Sequence, residues 1–557
     1  MSIFKKRVQK LLLILLPVIV FFPLIRQDPV DATEHQHPYI HDHIAAVPAA
    51  IQAFAEQQGK ASSLDFSSSK GASGIDSVSA APSSAPSDVG QWTQVYQWPL
   101  VAVHTALLPD QKVLMWDAWE FGASPSARLW DPATQTFTSV PNTTSGLFCA
   151  GQVMLPDGRQ LVSGGHNGSA YGINHTNIFD WVSHTWSRVT NMNFDRWYPS
   201  TITLGDGRAF VFGGQADPNT YDHIPEVYDA AANTWTRLDN ASRPVGNYPY
   251  IFQAPNGKVF NIVDDNGYSA YLDVASQTWT NIGLSPLFYF NAVMYQPGKI
   301  MMVGGANDLG KTTSVIDLNQ GAPSWRTTAP MAYNRFLNNL VVLPDGNVLT
   351  VGGADNLSLV STTGVLQAEM WNPNTETWSQ LTPMQNLRMY HSTALLLPDG
   401  RVLVAGGGRL SPAVDYPTAE IYSPPYLFKG ARPTITSAPT AAIYGQSITV
   451  QTPDAANISS VALVHLSSVT HAFNTDQRFI PASFTKNTGS LTVQIPANAN
   501  VTTPGYYMLF ILNSSGVPSV SKIIQIGGQS QPNPTATATL TRTPTPNVGV
   551  TGTLTPT

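Results

Sequence analysis

Sulfur, phenol and imidazole side chains recur at one position of a repeated sequence frame. The frame is an apolar segment, a turn of the Pro-Asp-Gly type and a second apolar segment. Eight positions before the turn aspartate stand three reactive side chains: Cys149 before Asp157, Tyr198 before Asp206 and His391 before Asp399. Tyr390 lies at nine positions, beside His391. Because these segments share one register, we expect the side chains at one height in the fold.

Taken one at a time, these residues have ordinary structural explanations. A lone cysteine is usually a small buried apolar residue, and a tyrosine that begins a strand usually packs and bonds a backbone group. A single histidine is a core residue as often as a ligand. Packing alone does not require Cys149, Tyr198, Tyr390 and His391 at the same height, so their shared register favours a reactive site. His104, six positions before its turn aspartate, lies close to the same level.

A second imidazole lies far along the chain, at His471. Residues 469–478 stand between two strand-like runs and are typical of a hairpin tip. A long hairpin that enters the axis of the repeats would deliver His471 to the other reactive groups. Two imidazoles with two phenol oxygens form a nitrogen and oxygen donor set that suits Cu(II). Zinc fits less well, because tyrosine is a rare zinc ligand and zinc supports no redox chemistry.

The frame occurs seven times between residues 91 and 430. Its turns begin about 42 to 54 residues apart, which is the period of propeller blades. The turns are Pro109-Asp110, Pro156-Asp157-Gly158, Gly205-Asp206-Gly207, Pro255-Asn256-Gly257, Pro297-Gly298, Pro344-Asp345-Gly346 and Pro398-Asp399-Gly400. Most units then contain paired glycines, and an aromatic strand closes the unit.

Six closing strands follow the seven turns, and the missing strand precedes the first turn, at residues 91–95. An N-terminal strand that completes the last blade would close the ring and remove its exposed edges. The sequence therefore predicts an all-β protein with a seven-bladed β-propeller at residues 91–430. Short alternating strands at residues 431–527 predict an Ig-like β-sandwich after it.

The flanking regions have no pattern of a packed core. Residues 27–90 are predicted to be a flexible Ser/Ala/Pro-rich spacer, and the Thr/Pro-rich residues 528–557 a tail or tether to a membrane or cell surface. Four histidines at residues 35–43 are explained better by a solvated polar tract than by a metal site, because no rigid element orients their rings.

Residues 1–26 have a basic head and an apolar run that two prolines interrupt. This pattern predicts an export signal, and an uncleaved anchor is the alternative, although a membrane span usually needs about 20 apolar residues. We therefore expect a secreted or cell-surface protein.

The charge pattern excludes one class of partner. Charged residues form 11% of the chain, the formal net charge is −6, and no Lys/Arg cluster occurs beyond the first ten residues. A nucleic-acid partner is not expected, because affinity for nucleic acid depends on neutralising phosphates.

The single cysteine excludes an intramolecular disulfide. We expect a monomer that acts on small molecules.

The sequence resembles the galactose oxidase and glyoxal oxidase family of copper radical oxidases. The double glycines and aromatic closing strands are also similar to kelch repeats. The matching segments span the propeller and the second domain: Phe148-Cys149, Arg196-Trp197-Tyr198, Arg388-Met389-Tyr390-His391-Ser392, and Thr470-His471 followed by Asn474-Thr475-Asp476-Gln477-Arg478.

The resemblance implies one copper ion and a self-generated thioether between Cys149 Sγ and the Tyr198 ring. It implies that Tyr198 is an equatorial ligand and the radical, and that His391 and His471 are the imidazole ligands. Tyr390 would be the axial phenolate that takes the substrate's proton. The oxidation removes two electrons and the copper exchanges one, so the linked phenol would be the second one-electron store. A cysteine consumed in this link cannot scramble in an exported protein.

One departure from galactose oxidase concerns the ring that shields the radical. Galactose oxidase has a tryptophan shortly after a double glycine, whereas Gln215 and Ala216 follow the glycines here. Trp197, beside Tyr198, is more like the glyoxal oxidase branch. We therefore predict oxidation of small aldehydes of the glyoxal or methylglyoxal type to carboxylic acids, with reduction of O2 to H2O2. A primary-alcohol or galactose oxidase on the same site is the first alternative. A non-catalytic kelch protein with a carbohydrate-binding or adhesive role is the second.

Overall fold

The computed structural model describes residues 85–118, 126–167, 171–288, 290–305 and 310–527. The predicted signal, almost all of the spacer and the tail lie outside these ranges. The regular secondary structure of the described residues is almost entirely β-strand, which confirms the all-β fold class. The described helices are α1 (Pro86–Val89) and the 3-10 helices Asp239–Ala241, Pro425–Phe428 and Ala455–Asn457. None of these helices is long and apolar enough to cross a membrane.

Seven antiparallel sheets follow one another in the described part of residues 91–423, and we call them blades 1 to 7. Two short strands, β1 (Gln91–Trp92) and β2 (Tyr96–Gln97), come first. Blade 1 contains β3 (His104–Leu107), β4 (Val113–Trp116), β5 (Arg128–Asp131) and β6 (Thr136–Ser139). Blade 2 contains β7 (Gly151–Met154), β8 (Gln160–Ser163), β9 (Thr176–Asp180) and β10 (Thr185–Arg188).

Blade 3 contains β11 (Ser200–Thr203), β12 (Ala209–Phe212), a side hairpin of β13 (Gln215–Asp217) and β14 (Thr220–Tyr221), β15 (Glu226–Asp229) and β16 (Thr234–Arg237). Blade 4 contains β17 (Ile251–Gln253), β18 (Val259–Asn261), β19 (Tyr268–Asp273) and β20 (Thr278–Leu284). Blade 5 contains β21 (Phe290–Gln296), β22 (Lys299–Gly304), β23 (Thr313–Asp317) and β24 (Arg326–Thr327).

Blade 6 contains β25 (Asn339–Val342), β26 (Val348–Val351), β27 (Glu369–Asn372) and β28 (Thr377–Gln380). Blade 7 contains β29 (Ser392–Leu396), β30 (Val402–Gly406) and β31 (Thr418–Ser423). The first strands of successive blades contact one another, β7 with β11, β11 with β17, β21 with β25, β25 with β29 and β29 with β3. These strands therefore form the inner ring of a propeller.

The N-terminal strand completes blade 7, as the count of closing strands predicted. β1 pairs with β31 through Gln91 opposite Ser423 and Trp92 opposite Tyr422, and β2 extends the same pairing. The Trp92 ring lies 4.8 Å from the Tyr422 ring, and its Nε1 donates to the Thr382 carbonyl of blade 6 at 2.7 Å. This strand thus joins the end of the ring to its beginning and covers the outer edge of β31.

The turn aspartates have a structural reason. The Oδ1 atom of each accepts the backbone N–H two residues later, as Asp157 does from Arg159 at 3.1 Å and Asp399 does from Arg401 at 3.0 Å. The glycine between them has a positive φ, for example 88° at Gly158, which a residue without Cβ adopts at no steric cost. The turn therefore fixes where the first strand ends, and the register counted from it is a structural register.

The C-terminal domain is a two-layered sandwich. Its strands are β32 (Ala441–Ala442), β33 (Ser447–Gln451), β34 (Ile458–His465), β35 (Ser468–Thr470), β36 (Phe473–Asn474), β37 (Phe479–Ala482), β38 (Phe484–Asn487), β39 (Ser490–Gln494), β40 (Gly505–Asn513) and β41 (Lys522–Ile526). One sheet has the order β32-β41-β40-β34-β37 and the other β33-β39-β38, with an apolar core that includes Val450, Leu463 and Leu509. The hairpin β35–β36 leaves this sandwich and pairs with β3 of blade 1.

We expect the substitution Trp92→Ala to lower the free energy of unfolding by about 2 kcal/mol, because it removes a large ring and a hydrogen bond from the ring closure. Chemical denaturation of wild type and variant measures this difference. Val182→Ala is the control, because Val182 is 66% exposed and should change the stability by less than about 0.5 kcal/mol. Equal losses in the two variants would show that β1 does not hold the ring.

Candidate metal centre

The position eight residues before the turn has a left-handed backbone in five blades. The φ values there are 57° at Cys149, 62° at Tyr198, 45° at Tyr248, 59° at Leu337 and 66° at His391. Left-handed backbone is unfavourable for residues that carry a Cβ, by about 1 to 2 kcal/mol. Its recurrence in five blades indicates that the entry to these inner strands favours it. Strained residues of this kind often belong to functional sites.

Backbone hydrogen bonds join these positions from blade to blade. The Tyr198 N–H donates to the Cys149 carbonyl at 2.8 Å, and the Tyr248 N–H donates to the Tyr198 carbonyl at 2.7 Å. Cys149 and Tyr198 therefore come together because their blades are neighbours and their registers match.

Tyr248 is a site residue that the sequence analysis missed. Its ring lies 5.1 Å from the Tyr198 ring and 4.9 Å from the His471 ring, and its hydroxyl donates to the Ala150 carbonyl at 3.1 Å. The signal was present, since Tyr248 lies eight positions before Asn256. The turn has asparagine in place of aspartate, and the same count from that residue finds the third phenol.

A buried arginine anchors the segment before the left-handed residue in three blades. Arg196, Arg335 and Arg388 donate through Nη1 to a glycine carbonyl of their own blade, at 2.8, 2.7 and 2.9 Å respectively. Each also pairs with a buried glutamate of the third strand, and the pairs are Arg196–Glu226, Arg335–Glu369 and Arg388–Glu420. All six side chains are fully shielded from solvent.

The paired glycines allow these arginines to pack against the preceding blade. A Cβ on Gly164 would lie 2.3 Å from the Arg196 carbonyl oxygen, and one on Gly352 would lie 2.1 Å from that of Arg388. Both contacts are impossibly close, so only glycine fits. The glycines of one blade thus set the position of the segment that carries the reactive residue of the next.

The hairpin β35–β36 delivers the last side chain. His471 and Ala472 form its two-residue turn, with φ values of 49° and 69°, the signs that a type I′ hairpin turn requires. His104 in β3 is paired with Thr470 in β35, so the hairpin extends blade 1 at its axial edge. The predicted insertion of a hairpin tip into the axis is present in the structure.

The polar residues after the hairpin turn bond the inner strands of different blades. The Thr475 hydroxyl donates to the Gln152 carbonyl at 3.0 Å, and Asp476 Oδ2 accepts the Met154 N–H at 2.8 Å, both in blade 2. In blade 6, Gln477 Nε2 donates to the Leu340 carbonyl at 2.7 Å and its Oε1 accepts the Val342 N–H at 2.9 Å. The Asn-Thr-Asp-Gln-Arg segment therefore has a positional role, which is to fix His471 on the axis.

These elements bring the predicted residues together. Cys149 Sγ lies 3.2 Å from His471 Nε2, and the hydroxyls of Tyr198 and Tyr390 are 3.0 Å apart. The His391 ring is stacked on Tyr390 at 3.9 Å and lies 4.6 Å from the His471 ring. The donor atoms of Cys149, His391 and His471 all lie within 4.8 Å of one another. Five side chains from three blades and the second domain thus meet at one point.

Hydrogen bonds orient both imidazoles in the same sense. His391 Nδ1 donates to the Gly408 carbonyl at 2.7 Å, because a carbonyl can only accept. Its Nε2 atom is then a buried acceptor, and within the described residues it has no hydrogen-bond partner. His471 Nδ1 lies 2.6 Å from the Thr470 hydroxyl, which donates to the Val103 carbonyl at 3.2 Å and so accepts the imidazole proton. The Nε2 lone pairs of both imidazoles therefore face the site, where that of His471 accepts from the Cys149 thiol. This is the arrangement that outer hydrogen bonds give to metal-binding histidines.

Burial keeps every group of the site neutral. It lowers the pKa of His391 to about 3 and also lowers the pKa of His471. It raises the pKa values of Cys149, Tyr198 and Tyr390. Deprotonation of a phenol at this site needs a nearby positive charge, and a bound cation supplies one. The site thus has donors for a metal ion and no fixed charge of its own.

The aromatic neighbours of Tyr198 follow the departure noted in the sequence. The Trp197 ring lies 4.6 Å from the Tyr198 ring, with 54° between their planes. Gln215 exchanges two backbone hydrogen bonds of 2.8 Å with Trp197, so the segment after the double glycine supports Trp197.

Comparison with known proteins adds to this geometry. The glyoxal oxidase N-terminus family model matches residues 126–279 and 296–426, and the galactose oxidase-like, early set domain model matches residues 432–526. A galactose oxidase from Gibberella zeae is 32% identical over 487 residues, which covers 79% of this chain and 71% of that protein. The aldehyde oxidase GLOX from Vitis pseudoreticulata is 28% identical over 326 residues, which covers 50% of this chain and 62% of that protein.

Among solved structures, a fungal alcohol oxidase in complex with copper is similar, with a TM-score of 0.71 and 30% sequence identity. The match covers 79% of this chain and 100% of that chain. The fold and the site define an oxidoreductase built on a kelch-type propeller with a second β-domain. Within that class, the chain belongs to the galactose oxidase and glyoxal oxidase family of copper radical oxidases.

We expect Arg388→Met and Arg335→Met each to lower the free energy of unfolding by about 3 kcal/mol, because each leaves a buried glutamate without its partner. Denaturant titration measures both losses. Arg188→Met is the surface control, since Arg188 is exposed, and should change stability by less than about 0.5 kcal/mol. A loss at Arg388 no larger than that of the control would contradict the anchoring role.

Proposed function

We propose that this protein is an exported copper radical oxidase that oxidises small aldehydes. In water the aldehyde is present as its hydrate, RCH(OH)2, and the balanced reaction is RCH(OH)2 + O2 → RCOOH + H2O2. The observation that carries the proposal is the meeting of Cys149, Tyr198, Tyr390, His391 and His471 at the propeller axis.

The donor set fits a single copper ion held by His391, His471, Tyr198 and Tyr390. Two imidazole nitrogens whose lone pairs face the site and two phenol oxygens suit Cu(II), and the orphaned Nε2 of His391 gains a partner when the ion binds. A bound copper ion exchanges one electron and favours the deprotonated form of the phenols beside it. No other charge is needed at this buried site.

The chain supplies the second electron and the proton acceptor. We propose that Tyr198 stores one oxidising equivalent as a tyrosyl radical, in a phenol ring linked to Cys149 Sγ through a thioether. The Cys149 and Tyr198 side chains belong to one buried cluster, and a backbone hydrogen bond joins the two residues. Tyr390 is half-buried and holds its hydroxyl 3.0 Å from that of Tyr198, and it takes the proton from the substrate hydroxyl.

Two observations favour small aldehydes. The glyoxal oxidase N-terminus model matches most of the propeller, and plant aldehyde oxidases are among the relatives. Trp197 covers the Tyr198 ring from within the Arg-Trp-Tyr segment. A primary-alcohol or galactose oxidase is the second candidate, favoured by the similarity to the Gibberella galactose oxidase and to the fungal alcohol oxidase.

We also propose that the protein is exported and acts as a monomer. The basic head and apolar run of residues 1–26 support export, and the Thr/Pro-rich residues 528–557 support a tether at the cell surface. A cysteine consumed in a thioether is compatible with an oxidising compartment, where a free thiol would exchange.

Copper loading of the purified apoprotein in air tests the function. We expect the intact mass to fall by two hydrogen atoms, and the loaded protein to consume O2 and form H2O2 with methylglyoxal faster than with galactose or benzyl alcohol. Tyr198→Phe should abolish turnover, whereas Tyr333→Phe, at an exposed tyrosine between blades 5 and 6, should not change it. Faster turnover of the alcohols would transfer the proposal to the second candidate, and no turnover with any of them would overturn it.

The substitution Thr470→Val tests the orientation of His471. It removes the hydroxyl that accepts the Nδ1 proton, and loss of such a partner typically weakens metal binding by about 10- to 100-fold. Competition titration with a Cu(II) chelator measures the affinity. Thr436→Val, in the sandwich, is the matched control and should leave the affinity unchanged. Equal affinities of Thr470→Val and wild type would show that this hydrogen bond does not orient the ligand.

A further inference from the structure

His104 is a fully buried imidazole beside the candidate centre, outside its donor cluster. Its ring is stacked on Trp116 at 4.6 Å and lies 5.6 Å from the His471 ring. Its Nε2 atom accepts the backbone N–H of Cys149 at 3.1 Å. The contact joins blade 1 to the left-handed residue of blade 2 that carries the thiol.

The proton on the His104 ring has one consistent position. Because Nε2 accepts from Cys149, the proton is on Nδ1, which donates to Gln152 Oε1 at 2.9 Å. The amide of Gln152 is fixed in turn, since its Nε2 donates to the carbonyls of Thr105 at 3.0 Å and Val469 at 3.1 Å. These two carbonyls belong to β3 and β35. Gln152 therefore bonds both strands where the hairpin pairs with blade 1, and its fixed amide orients the His104 ring.

The Cys149 backbone needs such support. Its φ of 57° is unfavourable for a residue with a side chain, and its N–H is buried between two blades. If the Nε2 acceptor were lost, this donor would be unsatisfied, and a right-handed backbone would turn Sγ away from Tyr198. Stacking on Trp116 alone does not need a nitrogen at this position.

We propose that His104 is a positioning residue that holds Cys149 for thioether formation, and that Gln152 fixes the tautomer it uses. The inference rests on the proposed function, which includes the Cys149–Tyr198 link. The step is RSH + ArH + O2 → RSAr + H2O2. The S–H bond of Cys149 and one ring C–H bond of Tyr198 break, and a C–S bond forms. The two electrons and two protons pass to O2, which is the oxidant of the proposed reaction.

The test measures the rate of linking by intact mass after Cu(II) is added to the aerated apoprotein. His104→Phe keeps a ring that can stack on Trp116 and removes the acceptor, whereas His104→Gln keeps an acceptor close to the position of Nε2. We expect linking in His104→Phe to be about tenfold slower, the scale of losing one buried hydrogen bond, and His104→Gln to stay within about threefold of wild type. The thermal midpoints of the two apoproteins show whether packing has changed equally.

A second variant pair keeps the inference testable if His104→Phe does not fold. Gln152→Leu removes the acceptor that fixes the tautomer, and Gln160→Leu removes a buried glutamine of the same blade that donates to Ser468 of the same hairpin. Only Gln152→Leu should slow linking, by about fivefold or more. The inference would be overturned, and the proposed function left intact, by a wild-type linking rate in His104→Phe or in Gln152→Leu. An equal defect in His104→Gln and His104→Phe would have the same consequence. If wild type itself loses no hydrogen atoms, the thioether in the proposed function falls together with it.

Discussion

The left-handed residue at the entry to the inner strands of five blades is the constraint on which the centre depends. At this position the backbone has a positive φ, which is unfavourable for residues with a Cβ. Hydrogen bonds such as Tyr198 N–H to the Cys149 carbonyl join one blade to the next. The side chains of neighbouring blades are thereby held at contact distance. A buried arginine and a pair of glycines fix the segment before it. The strained conformation persists because the rigid packing of the surrounding blades holds it in place.

The second domain is required for the site to be complete. The propeller brings a thiol, two phenols and one imidazole to its axis, and the sandwich contributes the other imidazole through one hairpin. The turn of that hairpin places His471, while the residues after it bond the inner strands of blades 2 and 6. The hairpin is anchored on the inner strands of blades 1, 2 and 6, and the last two contact the inner strands of blades 3 and 7, which follow the other ligands. The distance between the two imidazoles is therefore set by backbone pairing, and it does not depend on how two separate domains dock.

Neutrality of the donor side chains is a further consequence of burial. The phenols have raised pKa values and the imidazoles lowered ones, so the groups carry no charge until a cation binds. Each imidazole has its proton placed by a fixed acceptor, a carbonyl for His391 and a hydroxyl for His471. The hydrogen bonds of the site thus orient the donor atoms, and a bound cation would supply the positive charge. This is the pattern of a preformed metal site.

The sequence by itself determined the repeat, the closing strand and the register of Cys149, Tyr198 and His391, because turn chemistry and strand periodicity are local properties that can be counted. It also predicted the hairpin tip that carries His471. Counting back from the turn aspartates missed Tyr248, because its turn has asparagine in place of aspartate. The count placed His104 near the level of the site but did not show what His104 does there. Only the tertiary structure decided that His104 bonds the Cys149 backbone, that three arginines anchor the ligand segments, and which blades the hairpin touches. These contacts join residues that are 17 to more than 300 positions apart. Spacing along the chain does not encode them, since they depend on how the blades close into a ring.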